Sequence, residues 1–196
     1  MSKSENHSPK KERNKSFRWV ITIFLVTIFV SAVISLVSEE LLSVSTMVVA
    51  FVILLVIVLV GILFDIIGVA VTSADEKPFH SMAARKVPGA VEALRLLRKA
   101  ERVSSICNDV VGDICGVISG SASATIAAQL MHNFEFSWPR LFSLVMSALV
   151  AGLTVGGKAL GKTYAMKSNT KIVHFVGRFI GTFHRFGSIF SKKKNS

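Results

Sequence analysis

Residues 41–64 read LLSVSTMVVAFVILLVIVLVGILF, 24 consecutive positions without a charged side chain. A bilayer's hydrocarbon core is roughly 30 Å thick and takes about 20 helical residues to cross. Inside it every backbone polar group must be satisfied by the chain itself, which a helix does. The stretch therefore predicts a membrane-spanning helix at about 46–71. Outward from it, Trp19 to Val37 is uncharged, Leu141 to Gly157 is uncharged, and Ser104 to Leu130 has no lysine or arginine. The expected spans are 17–38, 46–71, 104–130 and 140–160. The fold class is all-α, a polytopic membrane protein with four transmembrane helices plus amphipathic interfacial helices. A signal peptide is the rival reading of residues 1–38, but the apolar run exceeds an h-region and no small-residue cleavage site follows it.

Basic residues place the loops. Residues 1–18 carry six lysines and arginines and residues 73–102 carry seven, while 158–196 carry nine and no acid. The short connections around Glu39–Glu40 and His132–Arg140 hold only Arg140 among basic residues. An excess of lysine and arginine marks the cytoplasmic side, so four spans with both termini in the cytoplasm fit. The net charge of +11 is then a topology signal. Nucleic-acid binding is not expected, because no folded soluble domain remains to present a basic surface. Residues 1–16 read as a disordered basic cytoplasmic tail.

The third span is the unusual one. It opens ICNDVVGDICG, residues 106–116, and sets Asn108, Asp109 and Asp113 where lipid penalises them. Gly112, Gly116, Gly120, Ala124 and Ala128 repeat every four residues, a pattern that lets another helix backbone come close. Asp109, Asp113, Ser121, Thr125 and Gln129 form a polar stripe beside it. Cys107 and Cys115 match no metal-binding spacing and read as small buried thiols.

Two stretches read as surface helices. From Gly89 to Val103, Val91, Leu94, Leu97 and Ala100 recur at helical spacing among Glu92, Arg95, Arg98, Lys99 and Arg102. Residues 171–196 place Phe175, Phe179, Phe183, Phe186 and Phe190 on one side, with Lys171, Arg178, Arg185 and Lys192–Lys194 supplying charge. Both suit a helix on the inner membrane surface, the second attracted to anionic lipid. Pro78 and Pro88 bracket what reads as a polar loop.

Asp65, Asp109, Asp113 and Lys158 lie at similar depths from the cytoplasmic ends of their spans, at about 1.5 Å per residue. Intramembrane charges face a cavity or one another. The carboxylates with the Asn108 amide could take a hard cation through oxygen, helped more weakly by Thr72, Ser73 and Asp109. Alternatively Lys158 pairs with Asp65 or Asp113 as an internal counter-charge and locks three helices together. No enzyme signature is present: no nucleophile elbow, phosphate loop, HExxH or zinc spacing. No bound cofactor is required.

In three segments the chain resembles the transmembrane domain of the CorB/CorC–cyclin M family, which is associated with Mg²⁺ and Co²⁺ transport. PGAVEALRLLRKAERVSSICNDVVGDICG, residues 88–116, resembles the family's small-residue turn, AL-LL helix and Ser-rich entry to a GNT-L-N span. GGKALGKTYAMKSNTKI, residues 156–172, is similar to its GEIIPKT segment, and FDIIGVAVTS, residues 64–73, sits where it has F-S-x-S-E-x-A-x-x-S. The resemblance covers about residues 46–190 and makes span one an addition. It implies a homodimer in a bacterial cell membrane, with Asn108 as an ion-site residue. Asp65 and Ile67 fall on family serines, Gly112 on a second asparagine, and Lys162 on a lysine. Lys158 falls on the glutamate, an ammonium where the family has a carboxylate. The implied function is divalent cation transport or homeostasis, or, given Lys158, a transport-inactive scaffold or accessory subunit. The family's cytoplasmic regulatory domains have no counterpart in these residues.

The topology has a direct check. With Cys107 and Cys115 changed to serine, a single cysteine at Glu40 or Ser137 should react with an impermeant maleimide in intact cells. One at Ser81 or Ser191 should react only after permeabilisation, and the opposite labelling would invert the assignment.

Overall fold

A computed structural model describes residues 9–43, 46–133 and 138–192. All regular structure in them is helical: α1 (Pro9–Ser43), α2 (Met47–Ser73), α3 (Lys77–Ala84), α4 (Ala90–Leu97), α5 (Ala100–Ser105), a π-helical segment (Ile106–Gly112), α6 (Asp113–Asn133), α7 (Pro139–Lys167) and α8 (Asn169–Lys192). Four stretches are long and apolar enough to cross a membrane: Phe17–Ser38, Met47–Ser73, Ala100–Met131 and Arg140–Lys167. The chain is an all-α polytopic membrane protein. Residues 1–8 of the expected N-terminal tail lie outside the described residues, as do residues 134–137 and 193–196 and the side chains of Arg185, Phe186, Phe190 and Lys192.

α2 is the central helix. Ala50, Leu54 and Val58 on it pack with Ala122 and Ile126 of α6. Ile62 and Ile66 lie against α7, where a side chain at Gly157 or Gly161 would collide with them. On the other flank of the third span, Val110, Ile114 and Ile118 take Ile23 and Val30 of α1. Arg102 stacks over the ring of Trp19, 4.9 Å from its centroid. Helix α1 begins at Pro9, so Pro9–Ser16, read as disordered from their polarity, are helical.

A second core ties the short helices to one end of the bundle. Ala70 and Val71 of α2, Phe79 of α3, Ala93, Leu94 and Leu97 of α4, Ala165 of α7 and Val173 of α8 form it. Two expectations change here. The stretch behind Pro78 is helix α3, with proline in its first turn where the missing N–H costs nothing. The amphipathic helix from Gly89 to Val103 breaks at Arg98–Lys99, and Ala100–Ser105 belongs to the third span. Its apolar face is Ala90, Ala93, Leu94 and Leu97, buried by the chain itself rather than by lipid, while Val91 is exposed.

The turn between α3 and α4 is built for this packing. Val87 N–H donates to Met82 O (3.0 Å) and Lys86 N–H to Ala83 O (2.9 Å), with Lys86 at φ 57°, which is a Schellman C-terminus. Gly89 follows at φ 86°, where any side chain would also run into the backbone of Arg178 on α8.

Packing tests follow. Phe79, fully buried, should cost about 3–5 kcal/mol as Phe79→Ala. A Cβ on Gly61 would lie 2.9 Å from Cys115 Cβ, so Gly61→Val should cost roughly 1–3 kcal/mol. Gly152 has open space around it, and Gly152→Ala should lose nothing. Thermal unfolding of the detergent-solubilised protein reads all three.

Candidate intramembrane polar site

The site forms where α2 meets the π-helical segment. Single π turns inside helices recur at functional sites; here the wider turn spans Ile106–Gly112 and contains Asn108 and Asp109. α2 comes close enough through glycine: the Asn108 side chain lies against Gly68, in the space a Cβ would fill. One turn along the same seam, Asp65 faces Gly112.

Two oxygens in this seam have nothing to bond to. Asp65 is 4% exposed and its Oδ2 is buried without a hydrogen-bond partner. Asn108 Nδ2 donates to Ser104 Oγ at 3.1 Å, whereas Asn108 Oδ1 is buried and unpartnered. A buried polar atom left unsatisfied costs about 1–3 kcal/mol, and more when charged.

Lys158 reaches the same place from α7. Its Nζ donates to Gly112 O at 3.3 Å. A Cβ built on Gly112 would lie 3.2 Å from Lys158 Nζ and 3.8 Å from Asp65 Oδ1, so the two atoms are within about 7 Å of each other. They do not form an ion pair, and neither do Lys158 and Asp113. The expectation that Lys158 closes a salt bridge with Asp65 or Asp113 is corrected. The Gly112 carbonyl takes the ammonium instead. At 4–7 Å and an effective dielectric of about 20, the attraction is roughly 2–4 kcal/mol. Desolvating two ions costs several kcal/mol each, so this attraction offsets only part of that cost.

Asp113 belongs to a neighbouring feature. A cleft of about 440 Å³ opens between α6 and α7, lined among others by Gly112, Asp113, Gly116, Gly120, Thr154 and Lys158. Asp113 is exposed there, and Asp65 is not part of the lining. Gly112, which has no side chain, separates the cleft from Asp65. Gly116 and Gly120 have no neighbour within 4 Å of a built Cβ. Inside the chain they line this cleft rather than receive a helix. Within the spans, the glycines that do admit close neighbours are Gly61, Gly68, Gly112, Gly157 and Gly161.

The weaker candidates are elsewhere. Thr72 Oγ1 donates to Val69 O (3.0 Å) and Gly68 O (3.2 Å), Ser73 Oγ to Val69 O (2.6 Å), and both residues are exposed. Asp109 is exposed and accepts from Ser105 Oγ at 2.8 Å. Cys107 and Cys115 are free thiols and buried. Among the described residues no three His, Cys, Asp or Glu side chains cluster to hold a metal ion. The arrangement therefore offers two oxygens and a nearby ammonium, not a closed coordination cage. Sequence reading missed Gly68 and Ser104; the seven-residue spacing of Gly61 and Gly68 on α2 was the available signal.

The fold and this seam define a polytopic helical membrane protein with an intramembrane polar site. No family model, curated protein or solved structure matches the chain.

Without a ligand the Asp65 carboxylate has no favourable partner at hydrogen-bond distance. In chelator, Asp65→Asn should leave the thermal stability unchanged or raise it. A loss above about 1 kcal/mol, the worth of a typical hydrogen bond, would mean that the carboxylate is already satisfied.

Proposed function

We propose that this chain is a small CorB/CorC-like integral membrane protein concerned with divalent cation (Mg²⁺ or Co²⁺) transport or homeostasis. One observation carries the reading: Asp65 Oδ2 and Asn108 Oδ1 are buried in adjacent turns of one seam and lack partners. Oxygen atoms left bare at that depth are what a hard cation would satisfy. Mg²⁺ dehydrates reluctantly and is bound through one or two carboxylates with several waters. One carboxylate and one amide suit such a partly hydrated ion in passage better than a tightly held one.

The cleft gives the ion a way in. Asp113 at its wall attracts the cation, and Gly112 leaves the step to Asp65 free of a side chain. Lys158 opposes entry and must swing aside when the cation arrives. The protein works in the cell membrane with both termini cytoplasmic, as a homodimer; both follow from the resemblance and the loop charges.

A second reading is a transport-inactive scaffold or accessory subunit. What favours it is the ammonium beside Asp65, together with the dispersal of Asp109, Thr72 and Ser73.

Mg²⁺ flux into dye-loaded proteoliposomes separates the two. Saturable flux should fall about tenfold or more in Asp65→Asn, the effect of roughly 1.4 kcal/mol of lost binding. It should weaken in Asp113→Asn and be blocked by Gly112→Val. Wild-type protein shown to be folded, yet giving no flux above empty liposomes, would overturn the transport reading and turn the search to partners.

A further inference from the structure

Helix α8 carries two apolar faces, and the chain uses one of them. Val173 is fully buried, and Gly177 packs so tightly on α4 that a Cβ would lie 2.5 Å from Gly89 O and 2.8 Å from Ala93 N. Gly181 continues that face toward Glu92. At about 100° per residue, positions 173, 177 and 181 point roughly 160° away from 175, 179 and 183. Those three are phenylalanines, exposed by 71%, 58% and 66%, and the rings of Phe179 and Phe183 meet at a tilt of 50° with their centroids 5.1 Å apart. An aromatic ridge on a helix whose other side is already occupied needs a cover.

The start of α8 fixes its level. A single residue, Ser168, separates it from α7, which ends a candidate span at Lys167. Asn169 Nδ2 donates to Ser73 O at 2.8 Å, joining α8 to the last residue of the α2 span. The helix therefore begins where two spans finish, at the edge of the hydrocarbon. Lys171 and Arg178 are exposed along one flank of the phenylalanine ridge. From residue 158 to the end of the sequence there are nine basic residues and no acid.

We infer that α8 lies in the membrane interface, with Phe175, Phe179 and Phe183 inserted among the acyl chains of an anionic phospholipid surface and its cations among the headgroups. The geometry is that of an interfacial amphipathic helix, and the basic flank is what anionic headgroups attract. A second copy of this chain fits the ridge less well. It would bring another acid-free basic helix against this one, and like charges would meet without compensation. The inference stands independently of any cation chemistry at Asp65.

A single tryptophan tests it. Trp19→Phe and Trp138→Phe remove both native tryptophans, and Phe179→Trp then reports from the ridge of the full chain. Leu149→Trp in the same background is the lipid-facing control, since Leu149 is exposed on the α7 span. In liposomes containing phosphatidylglycerol, phospholipids brominated high on the acyl chain should roughly halve the emission of Trp at position 179. Aqueous acrylamide should quench it weakly. In liposomes of phosphatidylcholine alone the lipid quenching should drop and the acrylamide quenching should rise. Strong acrylamide quenching in both membranes, with the control quenched by bromolipid, would overturn the inference. So would protection from both quenchers, which would mean that protein covers the ridge. Equal lipid quenching in both membranes would overturn the anionic preference.

Discussion

Gly68 lets the backbone of α2 approach Asn108 without an intervening side chain, and the polar seam depends on that approach. In lipid, helices gain little from burying apolar surface against each other, so close packing through small residues carries their association. Gly61 against Cys115 and Gly68 against Asn108 bring α2 onto the third span at two points seven residues apart. Gly157 and Gly161 let Ile62 and Ile66 seat on α7. With α2 held from both sides, Asp65 is only 4% exposed, and its environment is mostly what the seam supplies.

The seam supplies little, and the reason lies in the third span. In an ordinary α-helix each carbonyl of the turn is taken by the N–H four residues on. The Gly112 carbonyl, the last of the π-helical segment Ile106–Gly112, accepts the Lys158 ammonium from α7. The lysine donates to a neutral oxygen while a carboxylate stands nearby without it. Breaking up this arrangement to form a direct salt bridge would leave that carbonyl without the ammonium and would still face the desolvation cost of both ions.

Long uncharged runs carried the architecture in the sequence. The described span Phe17–Ser38 matches the expected 17–38, and the other three differ from expectation mainly at their ends. Hydropathy says how far a helix can cross but not where it stops, and at both Ser104 and Leu160 the helix runs on past the apolar stretch. The short helices were less legible. Ala90 and Ala93 are too small to stand out in an apolar pattern, yet they are fully buried because α8 comes so close at Gly177. The polar site was half legible. Asp65, Asn108 and Lys158 are conspicuous as polar groups in spans, and they do converge. Which of them touch depends on a π turn, and no residue pattern announces one. Gly116 and Gly120 show the same limit from the other side: a small-residue stripe says that a helix can approach, not that one within the chain does.

The charges constrain any ion that enters. Asp65, Asp113 and Lys158 together carry one net negative charge, so a divalent cation among them leaves one net positive charge. Such an excess in a low-dielectric seam is costly at short range and falls as the charges separate. Lysine suits this role because its ammonium is a point charge on a flexible four-carbon stem, not a rigid fork. Lys158 borders the open cleft between α6 and α7, so withdrawing its ammonium from the Gly112 carbonyl leads toward space rather than into packed side chains. Under the proposed reading, the group that must move when a cation reaches Asp65 is the one that the structure leaves room to move. Asp65, walled in by α2 and the π-helical segment, stays in place.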